Sequence, residues 1–200
     1  MRSFSTRAFR PLLLAAVSLA VTSCIAWGGK LSRLDPEDFS APQHPLPLTF
    51  ETVYLVNGKT DDKRSTECED LVAEALRDTG VFASVAATTT RDEVHLAFTF
   101  EETFNEGAVF TSSFLCGLTL FLFPAVVKGN TSLETMVYDG GVRGPVKFDE
   151  DFHFVMQILL LPATPFFWPP RVADDLMRNL VFNAVHDSRL GLVSSAQPSF

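Results

Sequence analysis

The chain has 200 residues, with 24 acidic side chains against 16 basic ones, a formal charge of −8, 19 phenylalanines and three cysteines. That length suits one domain with a substantial core. The acidic balance, with no Lys/Arg cluster beside aromatic residues, argues against nucleic acid and anionic phospholipid as partners, since binding either depends on basic patches.

In chain order, Arg2, Arg7 and Arg10 precede the apolar run Leu12 to Val21, too short to span a hydrocarbon core of about 30 Å and stay there. Val21-Thr22-Ser23-Cys24 follows: a branched apolar residue, two small residues and a thiol. This order resembles a bacterial lipoprotein signal peptide closed by its lipobox. The resemblance covers residues 1–24 and implies cleavage before Cys24, a diacylglycerol on its sulfur, and a periplasm-facing place in the cell envelope with membrane lipid as the first partner. Ile25 in place of an aspartate favours the outer over the inner membrane by resemblance to known sorting signals. Cleavage would remove three of the 16 basic residues, leaving 13 against 24 acidic ones, a charge of −11.

Residues 24–47 hold Gly28, Gly29, Pro36, Pro42, Pro45 and Pro47 without periodicity, which predicts a flexible, proline-rich tether. Trp27, three residues from the expected lipid, suits a headgroup interface. Leu48 to Val56 reads as a strand stopped by the Asn57-Gly58 turn signal. Between about Asp62 and Thr79 the period changes, placing Cys68, Leu71, Val72, Ala75 and Leu76 on one helical face before Gly80. Val81 to Ala86 reads as a short strand. Val94, Leu96, Phe98 and Phe100 then alternate with His95, Ala97, Thr99 and Glu101, a strand with one buried face.

Residues 107–127 carry no charge, and Phe110, Phe114, Leu115, Leu118, Leu120, Phe121, Leu122 and Phe123 point in every helical direction. Pro124 limits this segment to about 16 helical residues, roughly 24 Å, short of the hydrocarbon core. Strands resume with Leu133, Thr135 and Val137, turn at Asp139-Gly140-Gly141 and return through Val146, Phe148, Glu150 and Phe152, with Gly144-Pro145 expected in the connection. A second uncharged segment, 154–170, contains Leu160 and the Phe166-Phe167-Trp168 cluster. Its Val155 to Leu161 could form two helical turns before Pro162, Pro165, Pro169 and Pro170 forbid more. Arg171 to Arg189 reads as an amphipathic helix with Leu176, Leu180, Val181, Ala184 and Val185 on one face, and 191–200 as a tail.

The order predicts an α+β fold over 48–190: a small, mostly antiparallel sheet of four or five strands, two amphipathic helices on one face, and the two apolar segments leaving one end. That apolar end, with Phe110, Phe114, Leu118, Phe121, Leu160, Phe166, Phe167 and Trp168, is expected to contact membrane lipid, an envelope protein or a second copy. An ordinary core and a full crossing are the competing readings. In outline the arrangement looks like small periplasmic lipoproteins of the curli-secretion and peptidoglycan-synthase-activator kind, a likeness that transfers no functional residue.

Candidate chemistry is sparse. Asp149, Asp151 and His153 share a strand face that could meet a metal, or simply face solvent opposite Phe148, Phe152 and Phe154. His186-Asp187-Ser188 has the letters of a hydrolytic triad, but successive helical residues splay about 100° apart and cannot act in series. Glu101 and Glu102 point to opposite faces of a strand. Cys68 and Cys116 read as buried thiols with no second Cys or His at zinc-ligand spacing, and no glycine-rich phosphate loop precedes a helix. The sequence therefore predicts no catalytic site, cofactor or metal. It reads as an envelope lipoprotein acting as an interaction or assembly module, with a membrane-embedded accessory subunit of a transport or secretion complex as the alternative.

Overall fold

A computed structural model describes residues 24–90, 94–119, 123–157 and 169–188. In chain order the strands are β1 (Cys24–Gly28), β2 (Pro47–Val56), β3 (Lys59–Thr60), β4 (Ser84–Ala87), β5 (Val94–Phe104), β6 (Ala125–Asp139) and β7 (Val142–Met156). The α-helices are α1 (Asp62–Asp78), α2 (Glu106–Leu118) and α3 (Pro169–Ser188), and Pro36–Asp38 forms a 3₁₀ turn. The fold is α+β. Its sheet has seven strands in the order β1-β7-β6-β5-β2-β3, with β4 also paired to β2. That is larger than the expected four or five, because β1 and β3 escape a reading based on hydrophobic alternation.

The sheet is mixed: antiparallel pairs prevail, with β2 at its parallel part. β2 pairs in parallel with both β4 and β5, in registers that include Phe50↔Ala87 and Phe50↔Leu96. The physical reason is α1, which carries the chain back along the sheet so that the next strands start from the same end as β2. β5 and β6 are antiparallel: Thr103 Oγ1 reaches the Asn130 carbonyl, while the His95 ring lies 5.7 Å from that of Tyr138. β6 and β7 form the expected hairpin, with Gly140-Gly141 at its tip. Two details differ. β6 begins at Ala125, eight residues before Leu133, and Gly144-Pro145 lies inside β7. Gly144 adopts a φ of +117°, and a side chain there would come within 3.0 Å of the Thr135 carbonyl, so the position requires glycine.

Asn57 and Gly58 have φ values of +48° and +77°, the turn that lets β3 fold back on β2, with Leu55 opposite Thr60. One residue later Asp61 caps α1, its side chain accepting from the Arg64 amide at 3.0 Å while its own amide bonds the Tyr54 carbonyl at 2.9 Å. The end of β2 and the start of α1 are thereby joined.

One side of the sheet supplies Leu48, Phe50 and Tyr54 from β2, Leu96, Phe98 and Phe100 from β5, and Leu133 and Val137 from β6. These pack with Cys68, Val72, Ala75 and Leu76 of α1 and with Leu180, Val181, Ala184 and Val185 of α3. Burying a side chain of this size contributes about 1.5–3 kcal/mol, and the cluster is the main source of stability. Arg178 adds ion pairs from α3 to Glu74 and Asp78 of α1.

Residues 24–47 are not a free tether. β1 joins the sheet beside β7, and Leu31, Leu34 and Phe39 pack against the core. Val155 and Met156, expected to open a helix, extend β7. The remainder of that expected helix, 158–161, and the tail lie outside the described residues.

Contacts divide the chain into two compact units. Of the described residues, one holds 24–27, 104–119, 123–128, 152–157 and 169–173, the other 28–90, 94–103, 129–151 and 174–188. The core just described belongs to the second.

Within that core the Thr135 hydroxyl, between Leu133 and Val137, is buried with no hydrogen-bond partner among the described residues. An unpaired buried hydroxyl costs free energy that an isosteric methyl does not. Thr135→Val should therefore raise the stability measured by urea unfolding by about 1 kcal/mol; a lower midpoint would show that the hydroxyl is paired.

Candidate functional site

The first unit contains the described residues 24–27, 104–119, 123–128, 152–157 and 169–173. β1 therefore begins there at Cys24, and α2 belongs to the same unit. Asn105 starts α2 by accepting the Ala108 amide at 2.9 Å. The helix turns an unusual pair of faces to its surroundings. Its inward stripe is Val109, Ser112, Cys116 and Thr119, of which only Cys116 is fully buried. Ser112 Oγ lies 3.3 Å from the Val126 carbonyl, and Cys116 Sγ 3.8 Å from the Met156 carbonyl. Its outward stripe is Phe110, Phe114 and Leu118, exposed by 73%, 57% and 65%, with Leu115 and Phe123 also exposed. The Phe110 and Phe114 rings stack at 6.3 Å. The large apolar residues thus face outward, with the exposed Thr111 and Ser113 beside them, and the inward side carries only Val109 and three small residues, unlike an ordinary surface helix.

Phe110, Phe114 and Leu118 lie together on this outward face. Phe121, Leu160, Phe166, Phe167 and Trp168 lie outside the described residues, as does the side chain of Cys24. Trp27 is about half exposed and rests 5.5 Å from the ring of His153. Among the described residues no helix is long and apolar enough to cross a membrane.

The chain after β1 is held by a clamp that sequence reading missed. Glu150, 1% exposed on β7, receives the backbone N–H groups of Lys30 at 2.5 Å and Leu31 at 2.8 Å. Asn179 and Asn183 of α3 continue the attachment, accepting the Leu34 amide at 3.0 Å and donating to the Ser32 carbonyl at 3.1 Å. Lys30 also pairs with Asp151 at 2.5 Å, and that hydrogen bond and charge raise the Lys30 pKa. Both side chains are largely exposed, so this surface pair contributes little beside the buried carboxylate. Only pattern breaking could have pointed to the clamp: Glu150 occupies an inward position between Phe148 and Phe152.

The other candidates have structural partners. Asp151 is engaged by Lys30 and by Asn130 at 3.2 Å, His153 lies against Trp27 with the rings tilted by 45°, and among the described residues no metal-binding group of His, Cys, Asp and Glu is found. Ser188 Oγ donates to the Val185 carbonyl at 2.8 Å and not to His186. Glu102 receives the Tyr54 hydroxyl at 3.0 Å and pairs with Arg64; burial first, then the Glu102 charge, raises the Tyr54 pKa. Expected on an outer strand face, His95 is completely buried, its Nδ1 3.0 Å from Thr49 Oγ1 and its Nε2 3.7 Å from a Glu51 carboxylate oxygen.

No family model and no curated protein matches the sequence. Solved structures similar in outline include two of dodecameric PelC from Paraburkholderia phytofirmans, one of them a single-substitution variant. Each is 12% identical and covers 77% of this chain and 97% of its own, with TM-scores of 0.32 and 0.31. A likeness this distant carries nothing about function.

Two outcomes test the site. Glu150→Ala removes the acceptor of two part-buried backbone donors and should cost about 1–2 kcal/mol, with faster amide exchange at Lys30 and Leu31; unchanged exchange there would refute the clamp. Cys68 and Cys116 are free and buried, and burial pushes the Cys68 thiol up to about 12. Alkylation of the native protein at pH 8 should therefore spare both, whereas denaturation without reductant should release two thiols and not a disulfide.

Proposed function

We propose that this protein is a cell-envelope lipoprotein, anchored by acylated Cys24, that acts as an interaction or assembly module by contact and not by catalysis. The observation that carries the reading is that the lipobox cysteine opens β1 and the chain beyond it is clamped directly to the domain. A free tether of 23 residues could reach several tens of ångströms at about 3.3 Å per residue; a sheet strand followed by the Glu150 clamp gives up that reach. An anchor on Cys24 would thus hold the domain close to its membrane. Participation of Glu102, Asp151, His153 and Ser188 in structural contacts favours a contact role over hydrolysis. The sorting resemblance favours the periplasmic side of the outer membrane.

Intact mass of the membrane-purified protein should show a chain beginning at acylated Cys24, and Cys24→Ser should leave the precursor uncleaved. An unacylated mature chain beginning elsewhere would overturn the proposal.

A further inference from the structure

We propose that α2 lies in the acyl margin of the same membrane as the anchor, forming a second lipid contact that depends on apolar surface and not on headgroup charge. This rests on the lipid-anchored reading and adds what covers the outward face of the helix. Three features select lipid over a protein surface.

The polar groups of α2 are largely satisfied within its own unit. Thr111 Oγ1 donates to the Gly107 carbonyl at 2.8 Å, Thr119 Oγ1 to the Leu115 carbonyl at 2.8 Å, and Ser112 Oγ approaches the carbonyls of Val109 at 3.2 Å and Val126 at 3.3 Å. Such back-bonding lets hydroxylated residues enter a medium that offers no partner. A protein interface of this size would instead present hydrogen-bonding groups around its rim.

The second feature is charge. Glu106 in the first turn is the only charged residue of α2, where the helix N-terminus favours it. With no lysine or arginine on the helix, attraction to anionic headgroups has no source, and burial of apolar surface is the remaining drive.

The third is area and place. At about 150–250 Å² per aromatic side chain, the exposed parts of Phe110, Phe114, Leu115, Leu118 and Phe123 amount to roughly 600 Å². A stable protein contact needs about 800 Å² from each partner. A membrane already held by Cys24, in the same compact unit, has no such threshold. The helix has 13 residues, about 20 Å at 1.5 Å per residue, which suits lying in the interface and not crossing it.

The test uses the full mature, acylated protein carrying Phe114→Cys, labelled there with a polarity-sensitive fluorophore; Cys68 and Cys116 are buried and acylation blocks Cys24. It is reconstituted into vesicles of phosphatidylcholine alone, with or without brominated acyl chains. Brominated lipid should reduce the emission about twofold, aqueous iodide should not, and raising the salt to about 0.5 M should change neither. A control label at Asp139→Cys, an exposed residue at the tip of the β6–β7 hairpin, should give the reverse pattern. Iodide quenching at position 114 would overturn the proposal. So would protection from both quenchers that grows with protein density, the sign of a second copy, or lipid quenching at both labelled positions. Mass of the purified chain separates the two failures: an acylated chain with a water-exposed label loses only the α2 proposal, whereas an unacylated chain loses both.

Discussion

β5 is the strand on which the rest of the structure depends. It is paired in parallel with β2 on one side and lies beside β6 on the other, and its Val94, Leu96, Phe98 and Phe100 are essentially removed from water. An interior strand must satisfy its backbone on both edges while burying a side-chain row under helices. Here the two edges are met by different means: a helical crossover supplies β2, and the stretch through α2 supplies β6. The parallel edge requires α1 to be long enough to return the chain, and the same helix then covers Phe50 and Phe98. Pairing and packing are therefore one constraint, and loss of either face of β5 would undo both.

The second organising contact is a buried carboxylate where an apolar residue would be expected. Burying a charge is costly unless hydrogen bonds surround it, and Glu150 meets that condition with two backbone amides from Lys30 and Leu31. A side chain that binds backbone specifies where a segment lies and not which residues it contains. That is why residues 28–39, poor in periodicity and rich in turn formers, nevertheless have a fixed path. Asn179 and Asn183 work in the same way, each reaching main-chain atoms of the segment.

α2 sets a different condition. Its inward side carries Val109, Ser112, Cys116 and Thr119, of which Ser112 meets the Val126 carbonyl and Cys116 that of Met156. Its large residues face out. In water such an arrangement forfeits the hydrophobic gain that normally docks a helix; in an apolar medium it forfeits nothing. The helix and β1 share a compact unit, so the proposed lipid attachment and the apolar surface belong to one part of the molecule.

Local pattern determined much of this protein by itself. Alternation wrote β2 and β5, the 3.6-residue period wrote α1 and α3, and Asn57-Gly58 and Gly140-Gly141 wrote their turns. The apolarity of Phe110, Phe114 and Leu118 was equally legible, since it is a property of composition. Tertiary structure alone decided what each pattern faces. A strand does not announce whether its neighbour runs parallel, because that depends on a crossover assembled elsewhere, and this made the sheet mixed. β1 and β3 are too short for a period to appear, and backbone pairing with β7 and β2 defines them instead. Nor does a run apolar on all sides reveal which side is covered; the strand ends beneath α2 cover the side of Ser112 and Cys116. The paths of residues 30–39 and the burial of Glu150 and His95 depend on partners tens of residues away, and long-range hydrogen bonds leave no periodic trace in the chain that makes them.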